Sequence, residues 1–277
     1  MISGQSRLWR GISTALLVFV AFIFLIPLLW MISSSLKPSY AVLDVPPSLF
    51  PNPVKWSNYP EAMSIVPFGR FMLNSFFISV VTVVGHLVSC TLIAYGFARL
   101  RAPGKDVLFW IVLGTMMLPY PVTMVPVFML FHALGWIDTF LPLTVPAFFG
   151  SPFYIFLLRQ FFMTLPPELE EAARIDGATT FEIITRIVVP LSGPALATVT
   201  LFTFQATWND FLGPLIYLGN QQLYTVTLGL NQFRQSYTTD WAYLMAASLV
   251  TMLPVVIIFV LGQKYFVEGI TLTGLKG

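Results

Sequence analysis

Long apolar runs alternate with short polar ones along the whole chain. Six stretches, roughly 12–32, 71–95, 107–130, 140–162, 193–217 and 243–265, are almost free of charge. Several exceed the ~18 residues that a helix needs to cross a hydrocarbon core about 30 Å thick. The pattern predicts an all-α membrane protein with six transmembrane helices. The third and fourth spans are interrupted, one by Pro119, Pro121 and Pro126, the other by Pro142, Pro146 and Pro152. Proline removes a backbone donor and kinks a helix, and in lipid such a break stands only where neighbouring helices or a cavity cover it. The first run follows Arg7 and Arg10, as in a signal peptide, but it is longer than the apolar core of one and is read as a retained anchor. The chain then divides into an N-terminal anchor helix with a long external loop (1–70), a core (71–265) and a tail (266–277).

One polar island breaks the core. Residues 165–194, LPPELEEAARIDGATTFEIITRIVVPLSGP, hold five of the chain's twelve carboxylates (Glu168, Glu170, Glu171, Asp176, Glu182), with Arg174 and Arg186. An island of this length between two spans must sit in water. Pro166 and Pro167 suit a helix start, and the glutamates load the first turn, where negative charge opposes the helix dipole favourably. Gly177 ends that helix, and Thr179 or Thr180 caps the next. Pro190 and Pro194 mark the return to the membrane. The product is two short helices with a glycine bend. An apolar seam (Leu169, Ala172, Ala173, Ile175, then Phe181, Ile184, Ile187, Val188) needs a cover, which makes the island a docking element for a soluble partner.

Charge supplies the orientation. With the N-terminus inside, ten of the fourteen lysines and arginines fall on inner segments and four (Lys37, Lys55, Arg70, Arg234) on outer ones. Basic loops stay in the cytoplasm, so both termini and the island are assigned there. Only 9% of residues are charged, against 57% apolar, and the basic residues form no stripe that would suit nucleic acid. The lone Cys90 excludes an intrachain disulfide. No HExxH, CxxC or GxSxG pattern is present, so neither catalytic nor metal-binding residues are assigned. The phosphate-loop pattern is missing too. Pro103-Gly104-Lys105-Asp106 lacks its spacing and its hydroxyl, so a nucleotide site would belong to another polypeptide.

Polar residues inside spans are costly and are candidates for function. Ser75, Ser79, Thr82, His86 and Ser89 fall on one face of the second span at helical steps. They suit close packing between helices, or else the wall of a sugar pathway. The fifth span adds Thr203, Gln205, Thr207, Asn209 and Asp210, flanked by Trp208 and Phe211. Ser79, Thr82, His86, Gln205, Asn209 and Asp210 are the candidate path residues.

The island carries a resemblance. Glu171-Ala172-Ala173, Gly177, Ile187 and Pro190 match E-A-A, three residues, G, nine residues, I-x-L-P, the EAA loop of ABC-importer permeases, with Val189 where leucine is usual. LPYPVTMVPVFMLFHALGWIDT (118–139), RQFFMTLPPELEEAARIDGA (159–178) and TWNDFLGPLIYL (207–218) resemble the carbohydrate-uptake branch of that family. VEGITLTGLKG (267–277) is similar to the tail of the maltose-permease-type second subunit. The resemblance implies the ABC type-1 permease fold in the inner or plasma membrane. It also implies a second permease, an ATPase dimer holding ATP and Mg, an extracytoplasmic solute-binding protein and a sugar substrate. Glu171, Ala172, Ala173, Asp176, Gly177, Ile187 and Pro190 would couple to the ATPase, with Gly274, Lys276 and Gly277 as a second contact. A glycerol-phosphate or polyol substrate stands as an alternative, as does a secondary transporter driven by an ion gradient and acting alone.

Overall fold

The computed structural model describes the backbone of residues 7–234 and 240–274, and every long element among them is a helix. In chain order these are α1 (Arg7–Ser35), α2 (Asn58–Ile65), α3 (Phe68–Arg99), α4 (Lys105–Gly114), α5 (Tyr120–Ala133), α6 (Leu141–Thr144), α7 (Pro152–Thr164), α8 (Glu168–Ile175), α9 (Thr180–Ile183), α10 (Val189–Leu191), α11 (Gly193–Trp208), α12 (Leu212–Tyr217), α13 (Val226–Gln232) and α14 (Trp241–Gly274). Among the described residues four stretches are long and apolar enough to cross a membrane unbroken, and the total is six if the bent pairs Lys105–Met117 with Tyr120–Ala133 and Thr180–Leu191 with Gly193–Trp208 each count as one span. The third span bends by 99° between α4 and α5, where Pro119 caps α5. The predicted fifth span, 193–217, is not one helix: α11 stops at Trp208, and α12 starts only at Leu212.

Two compact units emerge, each discontinuous in sequence: Met1–Phe68 with Leu230–Met252, and Gly69–Gly229 with Leu253–Gly277. In the first, α1 exposes its apolar side chains from Leu16 to Ile26, as a helix facing lipid does. Side chains bind the backbone of the loop after it. Asn58 Nδ2 donates to the carbonyls of Ser35 (2.8 Å) and Lys37 (2.7 Å). The buried Lys37 ammonium donates to Ser48 O and lies 4.6 Å from the Trp30 ring centre. Lys55 and Glu61 form an ion pair at 2.8 Å, and Tyr243 donates a further hydrogen bond to the same carboxylate at 2.6 Å. The Lys55 ammonium, and after it the Tyr243 hydroxyl, hold the Glu61 carboxyl down at about 2.

In the second unit, α3 is the spine. Its polar face meets the proline-broken stretch between α6 and α7. Pro146 has no N–H to offer the carbonyl of Leu143, and Thr82 Oγ1 donates to that oxygen at 3.2 Å. Ser89 Oγ donates to Ala147 O at 2.8 Å. Gly85, between them, permits the approach, since a Cβ there would stand 3.0 Å from both Ala147 and Phe148. One core joins the lower part of this unit: Ala94 and Tyr95 of α3, Leu158 and Phe162 of α7, Ile183, Ile184 and Val188 of the polar island, and Ala195 and Val199 of α11.

Candidate functional site

The island folds as two capped pieces. Its first piece, α8, begins after Pro166-Pro167, and the Pro167 carbonyl accepts from the N–H groups of Glu170 and Glu171. Gly177 closes it at φ +83°. The Gly177 N–H donates to Arg174 O (3.1 Å) and the Ala178 N–H to Ala173 O (2.9 Å). That pair of bonds is the Schellman arrangement, and Ala173 and Ala178 both pack against the core. Thr179, not Thr180, caps the second piece. Its hydroxyl accepts from the Glu182 N–H at 3.3 Å, while its own N–H donates to Glu182 Oε2 at 3.0 Å, a complete capping box. The Thr179 N–H, then its hydroxyl, then Arg186 hold the Glu182 carboxyl below its usual range. A π-helical turn over Ile184–Val188 follows α9 and leads into α10.

The predicted seam divides between two faces. Ile184 and Val188 are buried in the core with Ile183, and Ala173 packs against it. Leu169, Ala172, Ile175 and Phe181 point outward, Ile175 at 87% exposure, beside exposed Glu171 and Asp176. One face is therefore an anchor, and the other is an unpartnered patch of apolar and acidic groups. Gly177 and Pro190 are exposed, and Ile187 is half-buried.

Glu170 corrects the view that every acid of the island faces water. It is 5% exposed. Successive helix positions differ by about 100°, so the exposure of Glu171 turns Glu170 inward. Glu170 Oε1 lies 2.8 Å from Arg99 Nε, and Oε2 accepts from the Tyr95 hydroxyl at 2.9 Å. The N–H of Arg99 Nε is not aimed along the short contact, which is therefore an ion pair and not an aligned hydrogen bond. Arg99 Nη2 also donates to Leu165 O at 2.6 Å, and Arg174 stands 3.8 Å from Glu170 Oε2. Sequence reasoning passed over this group. Its signal was two pairs at i, i+4, Tyr95 with Arg99 and Glu170 with Arg174, each on one helix face.

The candidate path residues do not come together. Ser79 is fully buried, and its hydroxyl has no hydrogen-bond partner among the described residues. Thr82 serves the Leu143 carbonyl, and His86 Nδ1 lies 3.2 Å from Thr203 Oγ1. Gln205 and Asn209 are exposed, and Asn209 Nδ2 donates back to Gln205 O at 2.8 Å. Asp210 is half-buried and accepts from the Gly213 N–H at 3.1 Å, across the break between α11 and α12. Asp210 also lines a cleft of about 850 Å³ with Tyr120, Phe131, Trp136, Phe149 and Tyr217, and a smaller one of about 310 Å³ with Ser75, Thr207 and Thr225. Ser79, Thr82 and His86 line neither. Of the tail residues, Lys276 and Gly277 lie outside the described residues, as does the side-chain environment of Gly274.

Comparison with known proteins gives this geometry a family. Residues 90–271 match the model of the binding-protein-dependent transport system inner membrane component. The chain is 34% identical over 280 residues to the arabinooligosaccharides transport system permease protein AraQ of Bacillus subtilis, covering 99% of each. It is 36% identical over 237 residues to the sn-glycerol-3-phosphate transport system permease protein UgpE of Pectobacterium atrosepticum, covering 83% of this chain and 84% of that one. Its fold superposes with a TM-score of 0.82 and 26% identity on a chain of a bacterial ABC transporter involved in the import of the acidic polysaccharide alginate, over 96% of this chain and 99% of the other. A multi-pass helical membrane protein with a doubly capped polar loop, matched along its length by permeases of this kind, belongs to the inner-membrane permease family of binding-protein-dependent ABC importers.

Proposed function

We propose that this chain lines one side of a translocation path for a carbohydrate and shares it with a second permease. An extracytoplasmic solute-binding protein delivers the substrate. ATP and Mg bind a partner ATPase dimer, which seats on the exposed face of α8 and Gly177. The observation that carries this reading is the division of the 165–191 loop into a buried anchoring face and an exposed face bearing Glu171, Ala172, Ile175 and Asp176. A loop held so firmly on one side and left open on the other transmits displacement from a partner into the helices it is rooted in. Both termini and this loop lie in the cytoplasm on the ten-to-four distribution of basic residues.

A carbohydrate is favoured because the cleft beside Asp210 combines aromatic faces with tyrosine hydroxyls and no cation. An anionic cargo such as glycerol phosphate is the second reading, supported by the likeness to UgpE. Membership in a binding-protein-dependent family leaves no place for a transporter that acts alone on an ion gradient. The test is Glu171→Lys in the assembled complex. ATPase binding and transport-coupled hydrolysis are expected to fall while the isolated ATPase is unaffected. Unchanged coupling at normal abundance would defeat the assignment.

A further inference from the structure

We propose that Glu170 is the positioning residue that makes α8 move as one body with α3. The inference rests on the reading of the loop as the ATPase contact and concerns the opposite face of α8. Three elements converge on this carboxylate and its partner. Tyr95 and Arg99 come from the last turns of α3, Glu170 and Arg174 from α8, and the Leu165 carbonyl from the strand of chain between α7 and α8. Arg99 thus holds both the exit of α7 and the first turn of α8, using two different nitrogens.

The rest of the loop is anchored differently. Ile183, Ile184 and Val188 hold the α9–α10 half by apolar burial. Apolar contact is non-directional and nearly proportional to area, so a small slide costs little. A desolvated ion pair depends steeply on distance, and truncating one partner leaves the other charge buried and uncompensated. Only α8 carries the exposed Glu171 and Ile175. The rigid fastening therefore sits directly behind the surface that a motor would push. A push on Glu171 that α8 absorbed by sliding would be lost. Through Glu170 it reaches α3, whose polar face continues up to Thr82 and Ser75.

The experiment uses the assembled complex in nanodiscs, with spin labels at Glu168→Cys, exposed on α8, and Val88→Cys, exposed on α3. Distances are read by pulsed electron paramagnetic resonance at rest and after trapping with ATP and vanadate, so no transported substrate is needed. With Glu170 intact, the label distance is the same in both states, because α8 and α3 travel together. In Glu170→Gln, which keeps the shape and removes the charge, the distance shifts and broadens on trapping only. Equal distributions in the two states of this variant would overturn the proposal. Broadening of the same size in both states would overturn it too, since that is the mark of a merely structural role. If Glu170→Gln fails to accumulate, Tyr95→Phe decides: a smaller trapping-dependent shift supports the proposal, and none overturns it. Glu171→Lys serves as the separate control. If it leaves trapping and ATPase binding unchanged, the coupling reading fails whatever Glu170 does.

Discussion

Two ion pairs in this chain have the same length and opposite surroundings. Lys55–Glu61 in one unit and Arg99–Glu170 in the other are both 2.8 Å apart. The first pair keeps 36% and 40% of its side-chain surface, the second 15% and 6%. In water the attraction is screened, and holding two long side chains together costs entropy. Away from water the same contact is stronger, and each charge becomes dependent on the other. An outer loop gains a preference from such a pair. A loop meant to transmit force gains an obligatory fastening.

The comparison is broken most directly at Glu170. Glu170→Ala leaves the largely covered Arg99 side chain without its carboxylate and is expected to destabilise the chain by up to roughly 3–5 kcal/mol, read as a large drop in thermal midpoint in detergent. A drop no larger than that of an exposed substitution would mean that the pair is wetter than its burial indicates. Gly177→Ala tests a constraint that involves no partner. No atom lies within 4 Å of an added Cβ, but φ is +83°, so about 1–2 kcal/mol of left-handed strain is expected. A neutral result would mean that the bend relaxes. The smallest effect belongs to the exposed pair. The Glu61 carboxyl lies at about 2 against an ordinary 4.5. Its folded value is depressed, so the stabilisation is complete above pH 4.5 and is lost as pH falls toward 2. Lys55→Met should raise the Glu61 midpoint, followed by carboxyl NMR, and high salt should move the wild type the same way. Identical titrations with and without Lys55 would assign the depression to Tyr243 instead.

Much of this was legible from residue patterns. The spans, the glycine bend and a threonine cap at 179 or 180 follow from apolar length, Gly177 and the Thr179-Thr180 pair, all local signals, and the structure selects Thr179. The docking face was only half legible. Helical periodicity identifies Ile175 and Ile184 as apolar alike, but only the folded core that Ile184 shares with Phe162 and Val199 separates the buried one from the exposed one. Glu170 was hidden for the same reason. Its partner stands 71 positions earlier, and a glutamate next to Glu171 reads as one more charge in water. The break at Asn209-Asp210 was missed because Thr203, Thr207 and Asp210 fall at helical spacing and read as one face of a continuous helix, and only the backbone shows α11 stopping at Trp208. The hydroxyls of α3 were offered two readings, and for Thr82 and Ser89 the structure supplies carbonyl partners on the proline-broken segment.

The wide turn over Ile184–Val188 is in effect one surplus residue held in a helix. Excising the exposed Thr185 would let the segment wind as an ordinary α-helix. Everything after it would keep nearly its present facing, because the wide turn already absorbs the extra residue, and Val188 and Ser192 would stay in the interior. The wide turn is thus an insertion contained where it occurs, and a single codon's deletion should remove it without turning the chain that follows.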